Sequence, residues 1–258
     1  MKNYLSKLGK KFLDSIYYAG ELSLLGARAI FGLCAHPLKR KQVIAQMNKV
    51  GIDSLFIVSL CALFIGIVLV LQSAYQMQKL GAERFIAHLV ALSMCRELGP
   101  VFTALIIAGR AGASISAELG TMKVTEQIDA LETMATNPVK YLVCPRFLAL
   151  VTMLPLLTVY ANFIGIFGGY MVAVWKLGIT STMYISSTFE ALALKDIFTG
   201  LFKSVIFAVI ICVVSCFQGL RAEGGAEGVG KATTLAVVVS FVLIIAADCL
   251  FTALFYFV

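Results

Sequence analysis

Charge is scarce in this chain of 258 residues. Asp, Glu, Lys and Arg make up 14% of it, where a soluble domain carries about 25%. Apolar residues fill the difference, at 60% with a mean hydropathy of +0.93. That balance excludes a water-soluble globular protein, a disordered chain and a nucleic-acid module, so no nucleic-acid partner is expected. It fits a polytopic membrane protein of one compact domain. Histidine is scarcer still, with His36 beside Pro37 and His88 alone. The seven cysteines (Cys34, Cys61, Cys95, Cys144, Cys212, Cys216 and Cys249) form no CxxC pair and no Cys/His cluster. They read as buried small hydrophobes rather than disulfides or metal ligands, and no metal site is expected. Neither a signal peptide nor a long transit segment is expected from the chain's first residues. Nor is a working nucleotide loop. GAEGVGK, residues 225–231, follows a P-loop for seven places, but the eighth is Ala232 where magnesium needs Ser or Thr, and a spanning helix precedes it where a strand is required.

What is present is ordered along the chain. The net charge of +7 lies wholly in residues 1–49; the remainder has as many acids as bases. Residues 1–35 are amphipathic, with Leu5, Leu8, Phe12, Ile16 and Tyr17 near helical spacing among Lys2, Lys7, Lys10 and Lys11. Such a segment is expected to lie in the membrane interface. His36-Pro37 and Lys39-Arg40-Lys41 break and anchor it. Five apolar stretches then predict transmembrane helices over 52–75, 85–118, 147–175, 197–218 and 232–258. With the N-terminus in the cytoplasm, fourteen Lys/Arg flank the spans inside and four outside, a positive-inside bias. The C-terminus is then expected on the outer side.

Four ionisable residues sit deep in spans: Arg96, Glu97, Lys203 and Asp248. At 1.5 Å per residue, Arg96 lies about 17 Å from Phe85, and the other three converge on a similar depth in the outer half. Their charges sum to zero. The cost of an unpaired ion in a membrane predicts one network, with Asp248 on Arg96 or Lys203. It serves either as a purely structural ion network or as the lining of a headgroup cavity. Arg96 and Glu97 are chain neighbours, so a regular helix cannot aim both at one face. Arg110, in GRAGAS, lies among small residues that permit close helix packing.

Between the second and third spans, Val124, Ile128 and Leu131 repeat at helical spacing while Glu126, Asp129 and Glu132 recur every third residue. Thr125 is a plausible N-cap, and Asn137-Pro138 a stop. A solvated connector would have this pattern. An interfacial helix should be basic, however, and an acidic one favours docking to a cytosolic partner through Thr125, Glu126, Ile128, Asp129, Leu131 and Glu132.

RELGPVFTALIIAGRAGASISAELGTMKVTEQIDALETMATNP (96–138), PRFLA (145–149), GLRAEGGAEGVGKATT (219–234) and the Asp248 helix resemble the MlaE permease family. The resemblance implies an all-α integral membrane fold with an interfacial N-terminal helix, five spans and a coupling helix over 121–136. It implies an inner-membrane permease of a Gram-negative ABC transporter that moves phospholipid between inner and outer membranes and maintains outer-membrane lipid asymmetry. It further implies a homodimer working with a cytosolic ABC ATPase, a STAS-domain subunit and a periplasmic MCE-domain hexamer. This chain would bind no cofactor, with ATP and Mg on the ATPase. The family's outward-open lipid pocket, at the homodimer interface, maps onto Leu69, Gln72, Met77, Leu80, Arg96, Glu97 and Leu98. Two other readings remain: an ion-coupled secondary transporter using the buried charges as a relay, and an integral-membrane enzyme. The acidic helix disfavours the first. The lack of a paired-carboxylate or His-rich cytoplasmic motif disfavours the second.

Overall fold

The structure, a computed structural model, describes residues 2–35 and 40–257. The predicted break at His36-Pro37 and Lys39 lies outside the described residues. So do the side chains of Leu5, Leu8, Phe12, Cys34 and the lysines of the first eleven residues. Among the described residues every regular element is helical. The order is α1 (Lys2–Ala35), α2 (Arg40–Val50), α3 (Leu55–Lys79), α4 (Phe85–Val124), α5 (Gln127–Thr133), α6 (Val139–Trp175), α7 (Ser181–Ala191), α8 (Leu194–Leu220) and α9 (Gly225–Phe257). Among the described residues five stretches are long and apolar enough to cross a membrane: Arg40–Lys79, α4, α6, α8 and Gly225–Phe255 of α9. Most of these helices outrun the apolar runs in the sequence, because polar first and last turns remain helical beyond the hydrocarbon.

Among the described residues the bundle has three apolar clusters, the smallest being Val58, Ala62 and Ala161 between α3 and α6. The largest gathers Ile107, Ile115, Leu150, Phe207 and Ile211 from α4, α6 and α8. The second, toward the ends of α3 and α6 that meet α7, gathers Val70, Ile86, Val90, Met94 and Tyr184. Burial pushes the Tyr184 phenol far above its ordinary range, so it stays a neutral donor to the Ile166 carbonyl. At the opposite end Glu118 of α4 binds Lys49 of α2 (2.8 Å) and the buried Arg146 of α6 (3.0 Å). Arg110 donates to Ser54 Oγ (2.8 Å) and to the Lys49 carbonyl. Sequence reading treated Arg110 as a packing position and did not foresee this clasp of three elements.

Helix α1 packs along the same end. Leu25 and Ala29 are buried, the Tyr18 ring meets Phe217 edge-on, Gln218 donates to the Tyr18 hydroxyl, and Arg221 pairs with Glu21 at 3.2 Å. Its other face leaves Tyr17, Leu24 and Phe31 exposed, at intervals of seven residues.

The link from α5 to α6 is set by two caps. Thr136 N–H donates to the Leu131 carbonyl and Ala135 N–H to that of Glu132, with Ala135 left-handed at φ 55°. This is a Schellman closure with alanine where glycine is usual. Asn137 Oδ1 then accepts from the N–H groups of Val139 and Lys140. Asn137-Pro138 therefore opens α6 rather than merely ending the helix before it, as Pro at a first helical turn does. Ala135→Gly is expected to stabilise the protein by about 0.5–1 kcal/mol, since glycine relieves the left-handed strain. A thermal melt in neutral detergent checks this.

Candidate functional site

The site starts from an irregularity in α4. Residues Met94–Leu98 form a π turn, and Ala108–Gly112 a second. A π turn holds more residues than an α turn and changes which side chains share a face. Here it lets both Arg96 and Glu97 reach α8, which a regular helix would not permit. Arg96 Nε and Nη2 each lie 2.8 Å from Asp196 Oδ1. Glu97 Oε2 accepts from Lys203 Nζ at 2.6 Å. Asp196 and Lys203 are seven residues apart on α8, two turns along one face. Between them sits Gly200. A Cβ there would meet the Cys95 carbonyl oxygen at 2.1 Å, so the widened turn fits against α8 only over glycine.

Lys203 is fully buried, and its ammonium uses all three donors: Glu97 Oε2, Asp248 Oδ1 at 2.9 Å and Thr252 Oγ1 at 2.8 Å. Asp248 and Thr252 are one turn apart on α9, and the Thr252 hydroxyl lies 3.2 Å from both Glu97 carboxylate oxygens. One lysine thus joins α4, α8 and α9. Of the two pairings expected for Asp248, the structure selects Lys203. Two expectations are corrected. The four predicted charges do not close into one neutral set, because Arg96 pairs with a fifth group, Asp196. And Arg96 and Glu97 do address one helix. Asp196 was missed because it falls at the outer edge of an apolar run and reads as loop. The available signal was an acid in a first helical turn, the place where a carboxylate takes up free N–H groups. Its Oδ2 accepts from Ala193 N–H at 3.2 Å while Oδ1 holds Arg96.

Of the other expected lipid contacts, Leu69, Met77 and Leu98 pack against the cluster of Val70, Ile86 and Met94, beside this site. Gln72 and Leu80 are exposed near the end of α3. Neither of two large hollows among the described residues is lined by any of the seven. One, of about 530 Å³, is apolar and lies between α6 and α7 beside Phe163, Phe167 and Phe189. The other, of about 940 Å³, lies between α1, α5 and the start of α6.

The six expected coupling residues lie at the end of the bundle that carries α1. Ile128 is buried and Leu131 packs on the largest cluster, rooting α5 in the bundle. Glu126, Asp129 and Glu132 are exposed, Asp129 being paired with Lys123 at 2.8 Å. Thr125 does not cap α5. Its hydroxyl donates to the Thr121 carbonyl, closing α4, and Glu126 occupies the cap position with φ 58°. A reversal between two helices needs such a left-handed corner, and that separates 121–136 into two elements.

Five helices long and apolar enough to span, three of them joined through the buried Lys203, with a short acidic helix outside them, define a multi-pass membrane protein. A sequence model described as Permease MlaE matches residues 43–254, and the chain belongs to that permease family. It is 39% identical, over 98% of both chains, to the intermembrane phospholipid transport system permease protein MlaE of Haemophilus influenzae. A probable ABC transporter permease protein of Rickettsia typhi is 44% identical, again over 98% of both. The chloroplastic protein trigalactosyldiacylglycerol 1 of Arabidopsis thaliana is 34% identical over 90% of this chain and 67% of its own.

Proposed function

We propose that this chain is the non-catalytic permease subunit of an ATP-driven transporter that moves phospholipid between the inner and outer membranes and maintains outer-membrane lipid asymmetry. It acts as a homodimer in a Gram-negative inner membrane, with the N-terminus cytoplasmic and the C-terminus periplasmic. The dimer holds the lipid in an outward-open pocket, with Leu69, Met77, Leu80 and Leu98 toward the acyl chains and Gln72, Arg96 and Glu97 toward the headgroup. A cytosolic ABC ATPase hydrolyses ATP with Mg. A STAS-domain subunit and a periplasmic MCE-domain hexamer complete the assembly.

The observation that carries this reading is α5. Its apolar side, Ile128 and Leu131, is rooted in the bundle, while Glu126, Asp129 and Glu132 face outward beside an exposed Met134. A rigidly seated acidic ridge next to an apolar side chain is a coupling surface for a partner that supplies energy. An ion-coupled transporter has no use for it. Reconstituting the purified assembly between two vesicle populations tests the function. Lipid transfer should require ATP, and transfer driven by an ion gradient alone would reject the reading. Glu126→Lys with Asp129→Lys reverses two charges on the ridge. The double variant is expected to weaken co-purification of the ATPase at least tenfold through electrostatic mismatch. Undiminished co-purification and ATPase rate would remove α5 from this role.

A further inference from the structure

The 940 Å³ hollow lies far from the Lys203 cluster, where α4 and α8 end and α6 begins. Arg28 of α1, Lys123 of α4 and Lys140 of α6 line it, against one lining carboxylate, Glu132. Lys123 is already held by Asp129, which lies outside the lining. Arg28 and Lys140 are different: among the described residues neither side chain has a hydrogen-bond or ion-pair partner. Two uncompensated cations therefore face a space large enough for a phosphoester headgroup. Its floor is apolar, with Ile128, Val139 and Leu220.

The mouth of the hollow distinguishes a lipid from a soluble anion. Phe31 lines it and is 75% exposed. It is the last of the row Tyr17, Leu24 and Phe31 on α1, each exposed. Residues seven apart on an α-helix differ by only about 20° in direction, so the three form one apolar stripe that ends at the cations. Basic charge at the end of an apolar stripe, where spans finish, matches an amphiphile with a negative head. We propose that this hollow is a binding site for an anionic phospholipid of the leaflet on its own side. The phosphate lies between Arg28 and Lys140 and the chains lie along Tyr17, Leu24 and Phe31. The lipid would be a resident one, separate from any lipid carried through the outward pocket, and it would tie α1 to the α5–α6 corner.

The test uses the full-length chain with its co-purifying subunits, in nanodiscs of phosphatidylcholine titrated with phosphatidylglycerol, with bound lipid counted by native mass spectrometry. At roughly 1 kcal/mol per cation near a headgroup, two cations predict a preference for phosphatidylglycerol of about thirtyfold. Arg28→Gln with Lys140→Gln should abolish it. Phe31→Glu, at an exposed position where folding is not at risk, should do the same by placing a carboxylate at the mouth. Arg40→Gln with Lys41→Gln removes equal charge from exposed positions on α2 and should leave the preference intact. Equal loss in that control would reduce the effect to general attraction by a basic surface and overturn the site. So would the absence of any preference in the unaltered chain. Displacement of the lipid by millimolar inorganic phosphate would assign the cations to a soluble anion. A photo-crosslinker at position 31 should capture lipid; capture of a protein subunit would give the hollow to a partner and reject the lipid.

Discussion

Lys203→Ala should destabilise the protein by about 3–5 kcal/mol, the cost of removing one partner from a buried ion pair. Among the described residues the ammonium is the only donor to Asp248, and it also carries Glu97. Both carboxylates lie within 3 Å of the same nitrogen, at 2.6 and 2.9 Å. Without it two acids face each other in a medium that cannot solvate them, and one must take up a proton or move out. Thr252 can still donate to Glu97, but one hydroxyl cannot serve both groups. A triple variant separates charge from packing: Lys203→Met with Glu97→Gln and Asp248→Asn removes every ion while keeping volume. Replacing buried ions by well-packed neutral groups is often tolerated, so the triple variant is expected to melt close to the unaltered protein. Its lipid transfer should be lost if the cluster lines the transport route and kept if the cluster only holds helices together. Thermal unfolding in detergent and transfer between vesicles are the two measurements.

Gly66→Val is expected to cost about 3 kcal/mol, at the upper end of overpacking effects. A Cβ on Gly66 would stand 1.8 Å from the Gly165 carbonyl oxygen. The clash is with backbone, so no rotamer relieves it. The seam is mutual, because a Cβ on Gly168 would meet the Leu63 carbonyl oxygen at 2.6 Å. Small residues on both helices are what let α3 and α6 touch along their backbones. Valine must lever α3 outward, and Leu69 and Met77 then lose their seat against the Ile86 cluster. Ser59→Ala, on the same helix pair, removes the contact with the Tyr160 hydroxyl (2.8 Å) and the hydrogen bond to the Leu55 carbonyl of its own helix (2.6 Å) and should cost about 1 kcal/mol. If the valine variant melts no lower than the alanine one, α3 is less tightly seated than this geometry requires.

The five spans were legible because each is a long apolar run, and length against bilayer thickness is a coarse signal that survives local irregularity. Lys203 and Asp248 were legible for a similar reason: an ion in such a run has few partners to choose from. The partner of Arg96 was not foreseen because its carboxylate, Asp196, belongs to a first helical turn, where polar residues are ordinary. Thr125 was misassigned as a cap because the sequence offers no sign that the chain reverses at Glu126; a left-handed glutamate carries no mark of its own. The clasp of Glu118 with Lys49 and Arg146 joins residues far apart in the chain, and no spacing rule brings them together. The docking of α1 on Phe217 and Gln218 was hidden for the same reason.

The two π turns of α4 have a consequence for insertions and deletions. Each adds a residue to the count without adding a turn, so Phe85–Ser93, Gly99–Ile107 and Ala113–Val124 stay in angular step within one continuous rod. Removing a single residue from Met94–Leu98 would restore the regular helical count and leave everything beyond it close to its present angle. Arg110 would still reach Ser54, and Glu118 would still reach Lys49 and Arg146, while Arg96 and Glu97 could no longer both address α8. A deletion at a π turn of α4 therefore costs the local setting of side chains and not the direction of the rod.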